Sequence, residues 1–393
     1  MGTMRTSTAE ASRRRPGRGG ERLRRVLVTT ALVGSAALTG LALVWLFVPG
    51  LDPHRSGDLE SLGSVVLGST TAAVFTAVIG LAGVAFAAAL RRRGAHSKRW
   101  AALGAAGLSA LIAVVLGSLT TAVLAGYLFG MASVVAGIVT IGVMLVRSPR
   151  LGVMLLAGLL GLAAIAFWGA GITLAATWSL ATSFIGALTA AWQLLASAAV
   201  ILVTTLAWAA IAIIAIRVGP TGRAIEAWLV RHRVTLTVLA AIGPLPYAFA
   251  RLSWLTPWPL FIPPQSEYAP AMLATGLMLG AGAFAASLLT LGLILPWGRT
   301  FPAWMPRVGG RPVPVAVAAV PGSIAAAVLC LSAVPMFVTV VGDPAAPADA
   351  ILLALVLPFW FWGPMLGLAV WAYVAWRSRE ATLTATASAA DPS

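Results

Sequence analysis

The chain has 393 residues, of which 60% are hydrophobic and 9% are charged, and its formal net charge is +15. A soluble domain carries about 25% charged residues, so this composition excludes an ordinary water-soluble protein and indicates that lipid surrounds the chain. Because basic residues in the loops of a membrane protein set its topology, we attribute the positive charge to membrane insertion and expect no nucleic-acid partner.

The chain opens with a basic segment, residues 1–25, that shows no apolar pattern. Its arginines are Arg5, Arg13, Arg14, Arg15, Arg18, Arg22, Arg24 and Arg25. We predict that this segment is a disordered cytoplasmic tail. The apolar run 26–48 that follows is too long for the core of a typical cleavable signal peptide, which is the alternative, and we expect it to be the first transmembrane helix.

Further apolar runs predict an all-α, polytopic transmembrane helical bundle that occupies residues 26–379. A spanning helix needs roughly 20 apolar residues. The run 101–146 carries no charge and fits two helices joined by a tight turn near 122–125. We predict ten spans, near residues 26–48, 64–90, 101–121, 126–146, 151–173, 194–216, 234–255, 271–296, 313–341 and 350–376.

Residues 174–193, in the middle of a long apolar run, admit two interpretations. On a helix they present a stripe of small polar residues, namely Ser179, Thr182, Ser183, Gly186, Thr189 and Gln193. The interpretation that we favour is a weakly amphipathic helix that lies on the outer surface or packs against its neighbours. The other is a spanning or re-entrant helix whose hydroxyl stripe lines a polar cavity.

The basic residues predict the orientation of the bundle. With ten spans and a cytoplasmic N-terminus, all of the 26 lysines and arginines except Arg55 and Arg251 fall on one side. Such segregation is typical of cytoplasmic loops. We therefore expect both termini in the cytoplasm, a location in the plasma membrane, and a second disordered tail at 380–393.

Other residue types mark the ends, bends and contacts of the predicted spans. Indoles favour the headgroup layer, and we expect interfacial anchors at Trp254, Trp258, Trp297 and Trp304. Prolines within later spans predict kinked helices at Pro321, Pro335, Pro358 and Pro364. Glycine pairs spaced by four residues predict close helix packing at Gly126/Gly130, Gly276/Gly280 and Gly363/Gly367.

The acidic residues show no pattern that predicts catalysis or proton transport. They are Glu10, Glu21, Asp52, Asp58, Glu60, Glu226, Glu267, Asp343, Asp349, Glu380 and Asp391, and all lie outside the predicted spans. A proton relay through intramembrane carboxylates therefore has no visible carrier. We interpret Asp52, His54, Asp58 and Glu60 as a solvated polar loop rather than a metal site.

The remaining chemistry-bearing residues are equally sparse. Cys330 is the single cysteine and lies in an apolar run, which excludes an intramolecular disulfide and a zinc site of paired cysteines. No histidine falls within a predicted span to activate a serine or cysteine nucleophile. We therefore predict no catalytic residue, no metal ligand and no cofactor, and we expect that the chain is not an enzyme.

Arg251 is the charge that stands out, because it lies near the outer end of the seventh predicted span. It follows the sequence "GPLPYAFA", in which Pro244 and Pro246 free backbone carbonyls and predict a bend. One interpretation is an arginine whose head reaches the interface. The other is a cation that holds an anionic headgroup or a substrate carboxylate at the bend.

The loop 295–314, "LPWGRTFPAWMPRVGGRPVP", holds the second group of candidate cations. Pro302 and Pro306 exclude a regular helix, and two glycines supply a turn. Membrane topology alone accounts for its arginines. The alternative is that Arg299, Arg307 and Arg311 clamp lipid phosphates or dock a membrane protein partner.

Two segments carry a resemblance. "PYAFARLSWLTPWP" and "LPWGRTFPAWMPRVGGRPVPVAVAAVP" resemble segments of uncharacterised polytopic membrane proteins of high-GC actinobacteria, over roughly residues 243–376. The resemblance implies a multi-pass membrane protein and carries over no activity and no site residue.

Three classes of function remain at this point. We favour a structural or accessory protein of the cell envelope whose partners are the lipid bilayer and an unidentified membrane protein. The alternative is a permease or channel for a small or lipid-like anionic molecule that is not proton-coupled through an intramembrane carboxylate. A membrane-embedded enzyme is the weakest class, because no acid pair or metal cluster faces the membrane.

Overall fold

The computed structural model describes residues 18–55, 61–93, 99–169, 173–217, 220–261, 270–342 and 347–390. Within them the chain is all-helical, and its one strand-like contact is an isolated bridge between Thr300 and Pro312. The helices are α1 Arg18–Phe47, α2 Leu62–Leu67, α3 Ser69–Arg93, α4 Arg99–Leu116, α5 Leu119–Arg147, α6 Pro149–Ala164, α7 Leu174–Ala190, α8 Trp192–Arg217, α9 Pro220–Arg231, α10 Arg233–Ile242, α11 Leu245–Leu252, α12 Pro270–Leu291, α13 Val315–Gly342, α14 Pro347–Val356 and α15 Phe359–Ala390.

Nine helical segments of the described residues are long and apolar enough to cross a membrane. The all-helical class and the multi-pass architecture that composition predicts are therefore confirmed. Within the expected span 151–173, residues 151–169 form α6 and a π-helical turn at Ile165–Gly169, and residues 170–172 lie outside the described residues. α6 alone is shorter than the nine candidate spans.

The two ends of the chain are more helical than expected. α1 begins at Arg18, so residues 18–25 continue the first span, and α15 runs on to Ala390. The sequence after Arg377 is rich in alanine and holds no proline before Pro392, so no residue there ends the helix. The rest of the expected tails, 1–17 and 391–393, lies outside the described residues.

The break between the third and fourth predicted spans lies earlier than expected. α4 ends at Leu116 and α5 begins at Leu119, so the turn near 122–125 is wrong. Gly117 and Ser118 form the break because glycine and serine leave a helix readily, whereas the alanines of the expected turn favour it.

α13 packs on this break through a backbone carbonyl that has lost its hydrogen bond to a proline. Pro335 has no N–H, so the carbonyl of Leu331, four residues before it, loses its helical partner. Gly117 packs directly against this carbonyl oxygen, and the hydroxyl of Ser332 donates to the Ser118 carbonyl at 3.0 Å. A glycine at 117 therefore lets α4 and α13 approach where both helices are irregular.

The tenth predicted span is divided in two. α14 ends at Val356, and α15 begins at Phe359, directly after Pro358. The residue before a proline is disfavoured in helical conformation, which explains the stop at Leu357. Helical structure nevertheless continues through Pro321 and Pro335 in α13 and through Pro364 in α15.

α7 packs beside two spans. It contacts α12, and the ring of Phe184 lies 5.6 Å from that of Tyr127 on α5. The polar stripe of α7 is mostly exposed, and Thr182 and Thr189 donate their hydroxyls to carbonyls of their own helix. Hydroxyls satisfied in this way are compatible with lipid, so the packing interpretation accounts for the stripe without a polar cavity.

One apolar core joins α1, α3, α4 and α8. Its centre is the fully buried Trp208, whose indole N–H donates to the hydroxyl of Ser35 at 3.1 Å. Gly83 of α3 packs against the same serine, which brings α1 and α3 together. The indole therefore satisfies its one donor inside an otherwise apolar bundle.

A second apolar core joins α9, α10, α13 and α15. Gly363 of α15 packs on α13, where a Cβ at this position would lie 2.9 Å from the Cys330 sulfur. Gly130 of α5 and Gly282 of α12 meet in the same way, with 3.0 Å between a Cβ at Gly282 and the Cα of Gly130. Small residues thus set the helix contacts, as expected in lipid.

Candidate functional site: Arg251 at an apolar cavity

The bend that positions Arg251 lies between α10 and α11. α10 ends at Ile242, Gly243 and Pro244 form a turn, and α11 begins at Leu245. The hydroxyl of Ser287 on α12 donates to the Ala241 carbonyl at 2.6 Å. The helix is thus interrupted by a two-residue turn where the bend was predicted, and a neighbouring helix satisfies one of the carbonyls beside it.

Two glycines of α12 hold α11 close. A Cβ at Gly280 would lie 2.6 Å from the Cβ of Arg251, and the ring of Trp254 packs on Gly276. The glycine pair noted in the sequence thus positions the arginine itself, because the first side-chain atoms of Arg251 pack directly on α12 at Gly280.

Aromatic rings flank the guanidinium of Arg251. Its central carbon lies 4.4 Å from the centre of the Trp254 ring and 5.0 Å from that of Tyr247. The electron-rich face of an aromatic ring attracts a cation and partly replaces lost hydration. The rings therefore orient the charge without neutralising it.

No carboxylate neutralises Arg251 within the described residues, where the ion pairs involve other arginines. Arg217, by contrast, pairs directly with Glu226. The Arg251 side chain is half-buried, and the described part of the chain offers its donors no hydrogen-bond acceptor. Among the described residues, the guanidinium therefore keeps donors that can bind an external anion.

A short turn after α11 folds back beside the arginine. The indole N–H of Trp254 donates to the Leu260 carbonyl at 2.8 Å, and the Leu260 N–H donates to the hydroxyl of Ser253 at 2.8 Å. Phe261 has a φ of 51°, which is uncommon for an aromatic residue. These two hydrogen bonds fix Leu260 and Phe261 over the end of α11.

A cavity of about 270 Å³ lies between this turn, α11 and α14. Its lining is Tyr247, Ala250, Arg251, Leu260, Phe261, Leu352, Leu353, Val356 and Leu357. One guanidinium and one phenol are therefore set into an otherwise apolar surface. Such a combination suits a ligand with an acidic head and an apolar body.

A second apolar groove provides a contrast. It has a volume of about 460 Å³ and lies between α5 and α7, lined by Leu128, Met131, Ala132, Val135, Ala136, Val139, Phe184, Ile185 and Leu188. This lining contains no charged residue, so the groove can contact an apolar chain but offers no partner for an acidic head.

The other candidate cations lie elsewhere. Arg299 lies at the opposite end of the bundle, where its guanidinium carbon is 4.4 Å from the ring centre of Trp376. Arg307 and Arg311 are exposed on the turn of the loop, and Arg307 has a φ of 65°. The structure therefore does not bring these three arginines into one clamp.

The four candidate anchor tryptophans have different surroundings. Trp254 is buried inside the protein, so its contacts are with α12 and the turn rather than with headgroups. Trp258 is 79% exposed and Trp297 is 37% exposed. Trp304 is half-buried in its loop.

The expected solvated loop near Asp52 is wrong for the two of its residues that the structure describes. Asp52 and His54 are buried, and the Asp52 carboxylate accepts a hydrogen bond from the His54 backbone N–H at 2.9 Å. The His54 ring lies edge-on to Trp45 at 5.5 Å. Asp58 and Glu60 lie outside the described residues, within which no group of three or more His, Cys, Asp or Glu side chains comes together.

Sequence reasoning missed the partners of Arg251. Tyr247 precedes it by four residues, and this spacing on a helix places both on one face, so the pattern was available. Nothing in the sequence indicates that Leu352, Leu353 and Val356 come from α14 to complete the cavity, because that contact depends on tertiary packing.

Comparison with known proteins adds no assignment. No protein-family model, no curated protein and no solved structure matches the chain. The functional argument therefore depends on the residues of the site.

Proposed function

We propose that this multi-pass protein is an accessory component of the cell envelope that binds an anionic amphiphile at Arg251. The ligand class is a molecule with a carboxylate or phosphate head and an apolar chain. The single observation that supports it is an arginine with no carboxylate partner among the described residues, flanked by two aromatic rings at an apolar cavity.

The physical basis is the high free energy of an unpaired cation in apolar surroundings. Charged groups at membrane depth pair with other charges or with polar groups, and they mark ligand sites. A guanidinium binds carboxylate or phosphate through two parallel hydrogen bonds, which fixes the head of the ligand. Leu353 and Val356 then offer apolar contact to its chain.

We also propose a topology of ten spans with both termini in the cytoplasm of the plasma membrane. In support, Gly126 of α5 packs near Leu279 of α12 and Gly130 packs near Gly282, so the contacts advance in the same direction along both helices. α12 leads directly to the Trp297 loop, so α5 ends near the same side.

The direction of α8 supports an additional crossing before it. α8 ends on that same side, because Arg217 pairs with Glu226, which accepts a hydrogen bond from Trp371 of α15. These directions support a crossing between Arg147 and Trp192. α6 with its π-helical turn extends roughly 31 Å at 1.5 Å per residue, about the thickness of the hydrocarbon core.

Ligand retention tests the proposed function. Wild-type protein and Arg251→Gln are purified in mild detergent, and the molecules that they retain are identified by native mass spectrometry. We expect an anionic amphiphile on the wild type, its loss from Arg251→Gln, and partial retention by Arg251→Lys, which keeps the charge but not the fork of donors. Arg55→Gln, a change at an exposed arginine, is the matched control. Equal retention of the amphiphile by wild type and Arg251→Gln would contradict the proposal.

Reporter fusions test the proposed topology. A fusion after Ser266 should report the outside, and fusions after Gly309 and at the C-terminus should report the cytoplasm. An external C-terminus with a cytoplasmic N-terminus would mean an odd number of spans and would contradict the ten-span arrangement.

A permease for the same ligand class is the second candidate, and the broken span α10–α11 is the observation that favours it. Transporters commonly place such broken helices at their substrate sites. Uptake of a labelled fatty acid into proteoliposomes distinguishes the two roles, because an accessory protein binds the acid without moving it. Since the acidic residues lie outside the predicted spans, such uptake would not depend on an intramembrane carboxylate.

A further inference from the structure

Arginines from three elements meet two aromatic residues of α15 at the end of the bundle opposite Arg251. The guanidinium carbons of Arg233 and Arg299 lie 3.8 Å and 4.4 Å from the ring centre of Trp376. Arg377 lies beside Tyr373, with 5.7 Å between its guanidinium carbon and the ring centre. We call these five residues, together with Glu380, the Trp376 cluster.

Arg377 holds the cluster together. It donates to the Tyr373 hydroxyl at 3.0 Å and to the Val313 carbonyl at 3.1 Å, and the Tyr373 hydroxyl donates to the Gly298 carbonyl at 3.3 Å. These bonds attach both ends of the loop 298–313 to α15. Arg377 therefore contributes a fixed positive charge, while Arg233 and Arg299 face the same indole.

Positive charge exceeds negative charge in the cluster. Glu380 is the carboxylate that approaches it, at 4.0 Å from a nitrogen of Arg299 and 4.0 Å from a nitrogen of Arg377. The nearby Glu226 already pairs with Arg217. Among the described residues, three guanidinium groups thus share one carboxylate, at 4.0 Å from two of them.

One donor in the cluster lacks an acceptor. Nη1 of Arg233 is buried and has no hydrogen-bond partner in the described part of the chain. A buried donor without a partner is costly, and the cost is larger for a charged group. Holding Arg233 and Arg299 against one ring adds repulsion between like charges. An anion that contacts both guanidinium groups removes both costs.

We propose that Arg233 and Arg299 bind a phosphate group at the Trp376 cluster, with Arg377 as the positioning residue. The guanidinium fork matches the oxygens of phosphate, and the exposed Arg299 admits the ligand while Arg233 supplies the buried donor. The phosphate comes from a lipid headgroup or from a soluble molecule. This site is separate from the Arg251 cavity, since Arg233 and Arg251 lie about 27 Å apart along one span at 1.5 Å per residue.

The experiment has a lipid arm and a phosphate arm. Full-length protein in detergent is titrated with phosphatidylglycerol, followed by native mass spectrometry, and with inorganic phosphate, followed by calorimetry. The variants are Arg233→Gln and Arg299→Gln, and the matched controls are Arg307→Gln and Arg311→Gln from the exposed turn of the same loop. Arg251→Gln is included to separate this site from the cavity.

We expect Arg233→Gln and Arg299→Gln to weaken binding by about tenfold or more, since each loses a charge-assisted contact, and the three other variants to match the wild type in the phosphate arm. Binding in the lipid arm alone identifies a lipid headgroup as the source of the phosphate, and binding in the phosphate arm alone identifies a soluble molecule. Binding in both arms supports the site through the phosphate group that the two probes share. Equal binding by Arg233→Gln, Arg299→Gln and the loop controls in both arms would overturn the proposal.

Glu380→Gln provides a second test, in which phosphate binding is expected to become tighter instead of weaker. It keeps all three arginines and removes the competing carboxylate, so phosphate binding should become several-fold tighter by the loss of like-charge repulsion. A purely structural cluster predicts no gain. Unchanged or weaker binding by Glu380→Gln therefore overturns the proposal even where Arg233→Gln does not fold.

Discussion

Arg251 of α11 and Gly280 of α12 are in backbone-level contact: a Cβ at Gly280 would lie 2.6 Å from the Cβ of Arg251. The position of the cation is therefore set by the distance between two helices and not by its flexible side chain alone. It follows that the site can be disturbed from α12 without changing any residue that touches the ligand.

Gly280→Ala is the change that disturbs it. The added methyl group meets the Cβ of Arg251, so α11 and α12 must separate, and we expect a destabilisation of about 1–3 kcal/mol from overpacking together with loss of the retained amphiphile. Thermal unfolding in detergent and native mass spectrometry measure the two effects.

Gly142→Ala is the control for Gly280→Ala. A Cβ at Gly142 meets nothing within 4 Å, so this change should stabilise the protein by up to about 1 kcal/mol through helix propensity. Equal effects of the two substitutions would contradict the packing that we describe between α11 and α12.

Gly117→Ala tests the contact between the α4–α5 break and α13. A methyl group at 117 meets the Leu331 carbonyl oxygen, which cannot rotate away as a side chain can. We expect a loss of about 1–3 kcal/mol in unfolding free energy. Gly107→Ala, on the preceding helix α4 with open space around it, should be neutral or stabilising. A fully stable Gly117→Ala protein would show that the break packs differently.

Ser35→Ala tests the hydrogen bond at the centre of the first core. It removes the acceptor of the buried Trp208 N–H, and we expect a loss of about 1–3 kcal/mol because the donor is left unsatisfied. Ser378→Ala removes an exposed hydroxyl that bonds within its own helix, and it should change stability little. Chemical unfolding of the two variants side by side gives the comparison.

The sequence predicts the apolar helices well because lipid requires long apolar runs, and length and charge reveal them directly. The helix breaks inside those runs are harder to predict. Pro358 stops a helix, whereas helical structure continues through Pro321 and Pro335, so the same residue type has different outcomes in different packing. Gly117 interrupts the helical structure at a position that neither a proline nor a charged residue marks in the sequence.

The candidate site was predictable in part. Arg251 stands out in the sequence as a charge near a predicted bend, and the structure has a two-residue turn between α10 and α11 at that place. Its partners on α14 were not predictable, since they are distant in sequence and ordinary in type. In the sequence, Arg233 is only one of the many basic residues expected on the cytoplasmic side, and the contact with Trp376 that gives it significance joins α10 to α15.

Photochemical labelling tests the central claim, an anionic amphiphile at Arg251, most directly. A fatty acid with a photoreactive group in its chain is bound to the purified protein, irradiated, and located by peptide mass spectrometry. We predict labels on Phe261, Leu353 and Val356 that disappear in Arg251→Gln, with little label in the uncharged groove around Val135 and Leu188. Labels of equal intensity in both places, unaffected by Arg251→Gln, would contradict the account.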